Sequence, residues 1–410
     1  MNNLELFQIA LGLGKPWLIT EVDFKEVAGT DGKELHIAID FYKGSEFSGT
    51  DGGKYKAYDT RERTWRHLDF FQHKCYLHCN VPRIRLKGGN VEQVEVPWAR
   101  AGSGFTLLFE AFCLQLVQQE MPVNKVGQTV GEYGQRIWTI LQYYIGKAYD
   151  QADHSEVKEL GIDETSTRKG HRYITVAVDM DKRNVIRVEE GRDKDSINQV
   201  VKYLESKGTV PEQIKEICID MSPSYIAGCL DSFPNAAITF DRFHVKKLLN
   251  VAMDEVRKAE RREHDLLKGH KYTFLRNSDK LSDERRNQMN DLLKLYPTLG
   301  EAYRLKILFD DFWDMQNSSQ AEVFLEDWCQ QAEKSGIHPF IKFVGTLKAH
   351  WYGIISFTTS RLTNGILEGI NTKIQLAKRR ARGYRDIKNF ISIIYLIAGN
   401  LNFNYPHRSS

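Results

Sequence analysis

Long apolar runs are missing from this 410-residue chain. No stretch approaches the ~18 consecutive apolar residues that a membrane helix needs. No cationic segment followed by a short apolar run opens the sequence either, so neither a membrane span nor a secretory leader is expected. Cysteine is scarce: Cys75, Cys79, Cys113, Cys218, Cys229 and Cys329 are dispersed, apart from one Cys-x-x-x-Cys pair. That usage argues against a disulfide scaffold and for free thiols in a reducing, cytoplasmic setting. A bias of charge is lacking as well. The formal net charge is only +3 with 27% of residues charged, so any surface for a polyanion must be local. Neither a low-complexity tract nor an internal repeat is visible.

The length is enough for two or three domains with a sizeable core. Residues 1–100 read as strands and turns, with "ELHIAIDFY" alternating and "GTDGGKYK" marking a turn. Over 101–150 the period becomes helical. "FTLLFEAFCLQLVQQE" places Leu107, Phe109, Phe112 and Leu116 on or near a buried face, and two further helices meet at Gly131, the second beginning near Glu132. Their spacing suits a helix-turn-helix, and equally an ordinary helical hairpin. Residues 151–244 give three strands, a helix, a strand, a helix and a strand, a mixed α/β layer whose first three strands form a meander. A charged helical segment follows over 245–355, and helices close the chain over 356–410. Trp313, Trp328 and Trp351 in those helices are read as core rather than as stacking residues.

Two aspartates end apolar strands, Asp163 in "LGIDET" and Asp220 in "ICIDMS". An ionised carboxylate at the end of a buried strand is costly unless it is paired, hydrogen-bonded or metal-bound. Each alone reads equally as a loop or cap aspartate; together, on strands able to be neighbours, they suggest a shared metal site. The stretch "SRLTNGILEGINTKIQLAKRRARGYRD" raises a further question. Glu368 precedes a dense cationic run, where its charge would repel a polyanion unless a cation lay between them.

These segments resemble a known family. The match is densest at "YDTRERTWRHLDFFQHKCYLHCNVPRIR", "VEVPWARAGSGFT", "ELGIDETSTRKGHRYITV", "IDMSPSYIAG", "FDRFHV" and "SRLTNGILEGINTKIQLAKRRARGYRDIKNF". It is similar to bacterial insertion-sequence transposases of the ISL-three family, of the Asp-Asp-Glu type. The resemblance implies an α/β core of the RNase H type at 151–244 and 356–410, interrupted by the helical insertion. It also implies a small β-rich, degenerate zinc-ribbon-like domain and a helix-turn-helix before that core. The acidic triad falls on Asp163, Asp220 and Glu368, with Asp241 and His244 of "DRFH" in support. Two Mg²⁺ or Mn²⁺ ions are implied for phosphodiester cleavage and strand transfer. Double-stranded DNA, both transposon ends and target, is the implied partner. A homodimer is expected from pairing two ends, and a bacterial, nucleoid-associated location follows. A nuclease or resolvase without strand transfer, and a catalytically silent DNA-binding protein, remain the alternatives.

On a helix, Leu367, Ile370, Ile374, Ala377 and Ala381 form a buried stripe, flanked by Asn364, Glu368, Asn371, Thr372, Gln375, Arg379 and Arg382. The family reading makes Gln375, Lys378, Arg379, Arg380 and Arg382 phosphate or DNA contacts. Arg61, Arg63, Arg66, Arg83 and Arg85 are further candidates, and Gln135 and Arg136 are the expected base readers. Alignment puts Ser48, Asp51, Leu86 and Gly89 where the family's zinc-binding cysteines stand. No zinc is therefore expected, and Trp65, Leu68, Phe70 and Phe71 are expected to hold the domain by apolar packing.

Overall fold

Residues 3–29, 32–168, 172–276, 281–362 and 365–403 are described by the computed structural model. The chain divides into two units, Met1–Ala148 with Asn402–Ser410, and Tyr149–Leu401. In the first, the strand-and-turn expectation misses one helix, α1 (Asn3–Ala10). Gln8 fastens it. Its side-chain amide donates to the Leu13 and Trp17 carbonyls at 2.6 and 3.0 Å and accepts from the Ile19 N–H at 2.9 Å. The sheet that follows has β1 (Trp17–Glu26) antiparallel to β2 (Lys33–Phe41). A separate pair, β3 (Glu46–Ser48) and β4 (Lys54–Lys56), follows in the chain. β5 (Asp59–Phe70) and β6 (His73–Arg85) form a long antiparallel hairpin, with β7 (Val91–Gln93) on β6. β6 runs parallel to β2, so the order is β1–β2–β6–β5.

Alternation supplies the apolar face of that sheet. Leu35, Ile37 and Ile39 on β2 and Cys75, Leu77, Cys79 and Val81 on β6 are buried with Trp17, Trp65 and Trp98. Leu68 and Phe70 are half-buried, but Phe71 stands 82% exposed at the β5–β6 turn with φ of +54°. A residue that closes a hairpin leaves the pleat, so the apolar expectation fails for Phe71 alone.

Three helices follow: α2 (Leu107–Gln118), α3 (Val123–Val130) and α4 (Gly134–Asp150). Gly131 ends α3 in the left-handed region at φ of +69°, as a helix C-cap requires. The second helix of the pair starts at Gly134 rather than near Glu132. The buried face of α2 is Phe109, Glu110, Cys113, Leu114 and Val117, while Phe112 is 39% exposed. Glu110 causes the rotation. Its fully buried carboxylate accepts from Arg100 at 3.0 Å, Ser103 at 2.6 Å and Tyr144 at 2.8 Å, and periodicity counts such a residue as surface.

In the second unit, β8 (Glu159–Arg168), β9 (Arg172–Asp179) and β10 (Asn184–Glu190) form the expected meander. β11 (Glu216–Ile219) lies parallel beside β8, and β12 (Ala237–Phe240) parallel beside β11, giving the order β10–β9–β8–β11–β12. α5 (Lys194–Ser206), N-capped by Asp193, buries Ile197, Val200 and Leu204, and α6 (Pro223–Ser232) packs against it. Between β12 and the last two helices run α7 (Arg242–Glu263), α8 (Lys271–Leu275), α9 (Asp283–Leu295), α10 (Pro297–Asp310), α11 (Ser318–Lys334), α12 (His338–Ala349) and α13 (Trp351–Ser360). Trp313 and Trp328 are core residues of this segment, the Trp328 indole donating to the Leu305 carbonyl at 2.9 Å.

α13 closes on β12 at Gly353, where a Cβ would meet the Phe240 ring at 2.5 Å. α14 (Gly365–Arg380) and α15 (Ile387–Ala398) complete the unit. Asn364, expected on the α14 stripe, lies outside the described residues. α14 also ends earlier than expected. Arg382 has φ of +56°, and the Gly383 N–H turns back to the Lys378 carbonyl at 2.8 Å, so Ala381 and Arg382 leave the helical stripe. Among the described residues, no helix is long and apolar enough to cross a membrane.

Candidate active site

The three parallel strands share one continuous register. Ile217 of β11 lies beside Leu160 of β8 and Ile238 of β12, and Cys218 lies beside Gly161 and Thr239. Carried on two residues, that register sets Asp163, Asp220 and Asp241 level with one another. Asp163 is not at a strand end, as its sequence context suggests, but inside β8. On one edge β8 continues against β9 as far as Arg168, while its pairing with β11 stops at Gly161. β11 stops and β8 does not, which opens the sheet beside Asp163.

The carboxylates there are held individually. Asp163 Oδ1 accepts from the Glu164 N–H at 2.8 Å, and its Oδ2 accepts from the Asn371 amide at 2.7 Å. Asp220 Oδ1 accepts from the Ser222 N–H at 2.9 Å. Asp241 is 2% exposed and caps α7 by accepting from the Phe243 N–H at 2.9 Å. His244, in the first turn of α7, has Nδ1 4.0 Å from Asp220 Oδ2 and Nε2 3.8 Å from Asp241 Oδ2. Burial raises the Asp163 carboxyl to about 6. The Glu164 N–H and His244 oppose that shift, and the charges of Asp220 and Asp241 add to it.

Glu368 arrives on the first turn of α14 and is exposed. Its helix is docked against β8 by Leu367, whose Cδ1 would lie 2.9 Å from a Cβ at Gly161. Glycine at 161 is thus the reason α14 approaches so closely. Three polar contacts continue the seam: Asn371 to Asp163, Gln375 Nε2 to Thr165 Oγ1 at 3.1 Å, and Lys378 Nζ to the Ser166 carbonyl at 2.8 Å. Among the described residues, no three His, Cys, Asp or Glu side chains converge as a group able to hold an ion. The α14 side chain that does reach Asp163 is Asn371, one turn beyond Glu368. The only signal for it in the sequence was the three-residue spacing from the acid. Its Oδ1 is buried and lacks a hydrogen-bond partner. The donors gathered here are hard oxygens, which suit Mg²⁺ or Mn²⁺.

The DNA contacts expected on α14 divide. Gln375 and Lys378 turn inward to β8, and burial lowers the Lys378 amine from its ordinary value. Arg379, Arg380 and Arg382 are exposed. Arg192, which the sequence reading missed, stacks over the Tyr173 ring at 4.2 Å and reaches Glu164, the neighbour of Asp163, at 3.4 Å. An isolated arginine on a loop carries no motif that could have marked it.

In the first unit, Arg61, Arg63 and Arg85 are exposed, Arg85 lying over the Tyr58 ring at 3.9 Å. Arg83 is paired with Asp59 across the β5–β6 hairpin. Arg66 is corrected outright. It is 2% exposed, paired with Asp69, 3.8 Å from Glu132, and flanked by the Tyr76 and Phe109 rings, so no phosphate can reach it. Gln135 and Arg136 are exposed in the first turn of α4, Arg136 reaching Glu132 at 2.5 Å and stacking on Phe105 at 4.2 Å.

Comparison with known proteins matches three family models in chain order. A zinc-finger of transposase IS204/IS1001/IS1096/IS1165 covers residues 49–85. A helix-turn-helix domain of transposase family ISL3 covers 94–145, and a transposase model of the same family covers 160–394. The zinc-finger match overturns the expectation that no zinc is bound. That expectation rested on four positions, of which Ser48, Leu86 and Gly89 fall outside the matched segment, whereas the relationship is carried by the segment as a whole. Within it, Cys75 and Cys79 are buried on β6 with thiols pushed up to about 12 by burial. The family relation thus implies zinc, while among the described residues the donor side chains do not converge on one point.

Two relatives extend the match over nearly the whole chain. The transposase for insertion sequence element IS1001 of Bordetella parapertussis is 29% identical over 350 residues, 82% of this chain and 84% of that protein. The transposase for insertion sequence element IS1557 of Mycobacterium tuberculosis is 25% identical over 439 aligned positions, covering 98% and 97%. With the transposase model matched over residues 160–394 and the helix-turn-helix and zinc-finger models matched before it in order, the chain belongs to the ISL3 family of transposases.

Proposed function

We propose that this chain binds the terminal inverted repeats of an insertion sequence, cleaves double-stranded DNA at the element ends and joins the freed 3′-hydroxyl to target DNA. Its catalytic core is of the RNase H type. Asp163, Asp220 and Glu368 would hold two Mg²⁺ or Mn²⁺ ions, whose positive charge would serve to activate the attacking hydroxyl and to stabilise the leaving oxygen of an in-line displacement. The observation that supports this reading is the parallel register of β8 and β11, which ends two residues before Asp163 and Asp220, with the Asp220 charge acting on Asp163. A buried carboxyl raised to about 6 beside a second acid is the environment that a cation relieves.

His244 and Asp241 orient Asp220 from the α7 side. Arg379, Arg380 and Arg382 grip phosphates beyond Glu368, while Gln375 and Lys378 hold α14 against β8. The exposed residues Arg61, Arg63, Arg85, Gln135 and Arg136, with the Asp59-paired Arg83, engage the element ends, two of which are brought together by a homodimer. The test is a strand-transfer assay on oligonucleotides carrying the element ends with Mg²⁺. Cleaved and joined products are expected from the natural chain, and neither from Asp163→Ala, Asp220→Ala or Glu368→Ala. Cleavage without joining would instead indicate a nuclease, and binding without cleavage a silent DNA-binding protein.

A further inference from the structure

Asn371 is an α14 side chain that touches a candidate acid, and the sequence alone gave it no role. Its Nδ2 donates to Asp163 Oδ2 at 2.7 Å. That bond uses one end of the amide and leaves the other, Oδ1, buried without a hydrogen-bond partner. A buried acceptor in that state costs about 1–3 kcal/mol. Its neighbours on the same seam carry no such deficit, Gln375 reaching Thr165 Oγ1 and Lys378 the Ser166 carbonyl. The position is fixed by its neighbours as well, since Asn371 flanks the buried stripe Leu367, Ile370 and Ile374, and Leu367 packs on Gly161 of the same strand β8. Amide carbonyls are ordinary oxygen ligands of hard cations.

We propose that Asn371 presents its carbonyl oxygen to the divalent cation held at Asp163, as a neutral oxygen donor alongside the acids. This rests on the reading of Asp163 as a metal ligand. The amide has two jobs: its N–H fixes the rotamer of Asp163, and its oxygen faces the ion. Such a donor adds no negative charge, so Asp163 and Asp220 are not repelled further before a cation arrives.

The test measures Mn²⁺ binding to the full-length, DNA-free protein, with free Mn²⁺ followed by electron paramagnetic resonance. Circular dichroism in EDTA checks that each variant is folded. Asn371→Ala is expected to weaken Mn²⁺ binding by about tenfold. Asn371→Asp, which keeps the oxygen and loses the N–H, is expected to bind at least as tightly as the natural protein. Gln375→Ala removes a bond on the same seam that touches no acid, and it is expected to leave Mn²⁺ affinity near its original value. The proposal is overturned if Asn371→Ala binds normally, if Asn371→Asp is as weak as Asn371→Ala, or if Gln375→Ala loses as much. Asp163→Ala separates the two levels. Normal Mn²⁺ binding by Asp163→Ala removes the metal reading of the site; its loss there, with none at Asn371→Ala, removes only the role of Asn371.

Discussion

Two kinds of element deliver acids to this site, and they do so with different certainty. Asp163 lies inside β8 and Asp220 directly follows the parallel neighbour β11, two residues beyond the last paired positions, Gly161 and Cys218. Glu368 rides on a helix held by side chains alone: Leu367 on Gly161 and the seam from Asn371 to Lys378. The two aspartates are therefore positioned by the sheet, whereas the helix-borne Glu368 is exposed. In the proposed reaction, Glu368 would join the aspartates when a DNA end and its ions are bound.

The largest effect that tests this contrast is on cleavage. Asp163→Asn and Glu368→Gln should each lower DNA cleavage by about a thousandfold, the scale of losing a key electrostatic group. Binding of Mn²⁺ without DNA should then separate them, lost in Asp163→Asn and retained in Glu368→Gln. Equal loss in both, measured by Mn²⁺ titration, would break the distinction between strand-borne and helix-borne acids.

Smaller, and confined to the strand side, is a pH dependence of stability. A carboxyl raised from below 4 to about 6 binds its proton more tightly in the folded state. Stability of the metal-free protein therefore falls as pH rises from about 4 to 6 and is flat above that. Asp163→Asn should remove this loss, stabilising the EDTA-treated protein by about 3 kcal/mol at pH 8 and hardly at all at pH 4. Denaturant titrations at the two pH values check it; no difference between them would place the Asp163 carboxyl in an ordinary solvated setting.

The smallest effect concerns the helix side. Gly161→Val should cost about 1–3 kcal/mol through overpacking against Leu367 and should loosen α14. Hydrogen exchange of α14 amides would rise while β8 and β11 stay protected. Uniform protection in this variant would show that Leu367 does not depend on the gap at Gly161.

Local alternation and the helix–strand order were legible because each is written in consecutive residues. β2, the β8–β10 meander and the buried face of α5 all follow from that, whereas the adjacency of β8 and β11 was readable only as a possibility. Less legible were groups whose partners come from distant segments. Arg66 looks like one of several surface arginines on β5. Its burial requires Asp69, Tyr76, Phe109 and Glu132 at once, and no local pattern encodes that set. Glu110 misled the α2 face for the same reason, its three hydrogen-bond partners lying on two other stretches of chain, the loop at Arg100 and Ser103 and the helix α4 at Tyr144. Around the acids, Asp163 and Asp220 stood out as charges on apolar strands. Glu368 needed the family resemblance, and Asn371 needed coordinates. The zinc expectation failed differently, since four residue identities were weighed against a relationship that spans a whole segment.

The most direct test is an anomalous-scattering map of the protein crystallised with an element-end duplex and Mn²⁺. The account predicts manganese bound between Asp163 and Asp220, with the Glu368 carboxylate turned in to complete the coordination. Manganese absent from those aspartates, or Glu368 still facing solvent with cleaved DNA in place, would contradict it.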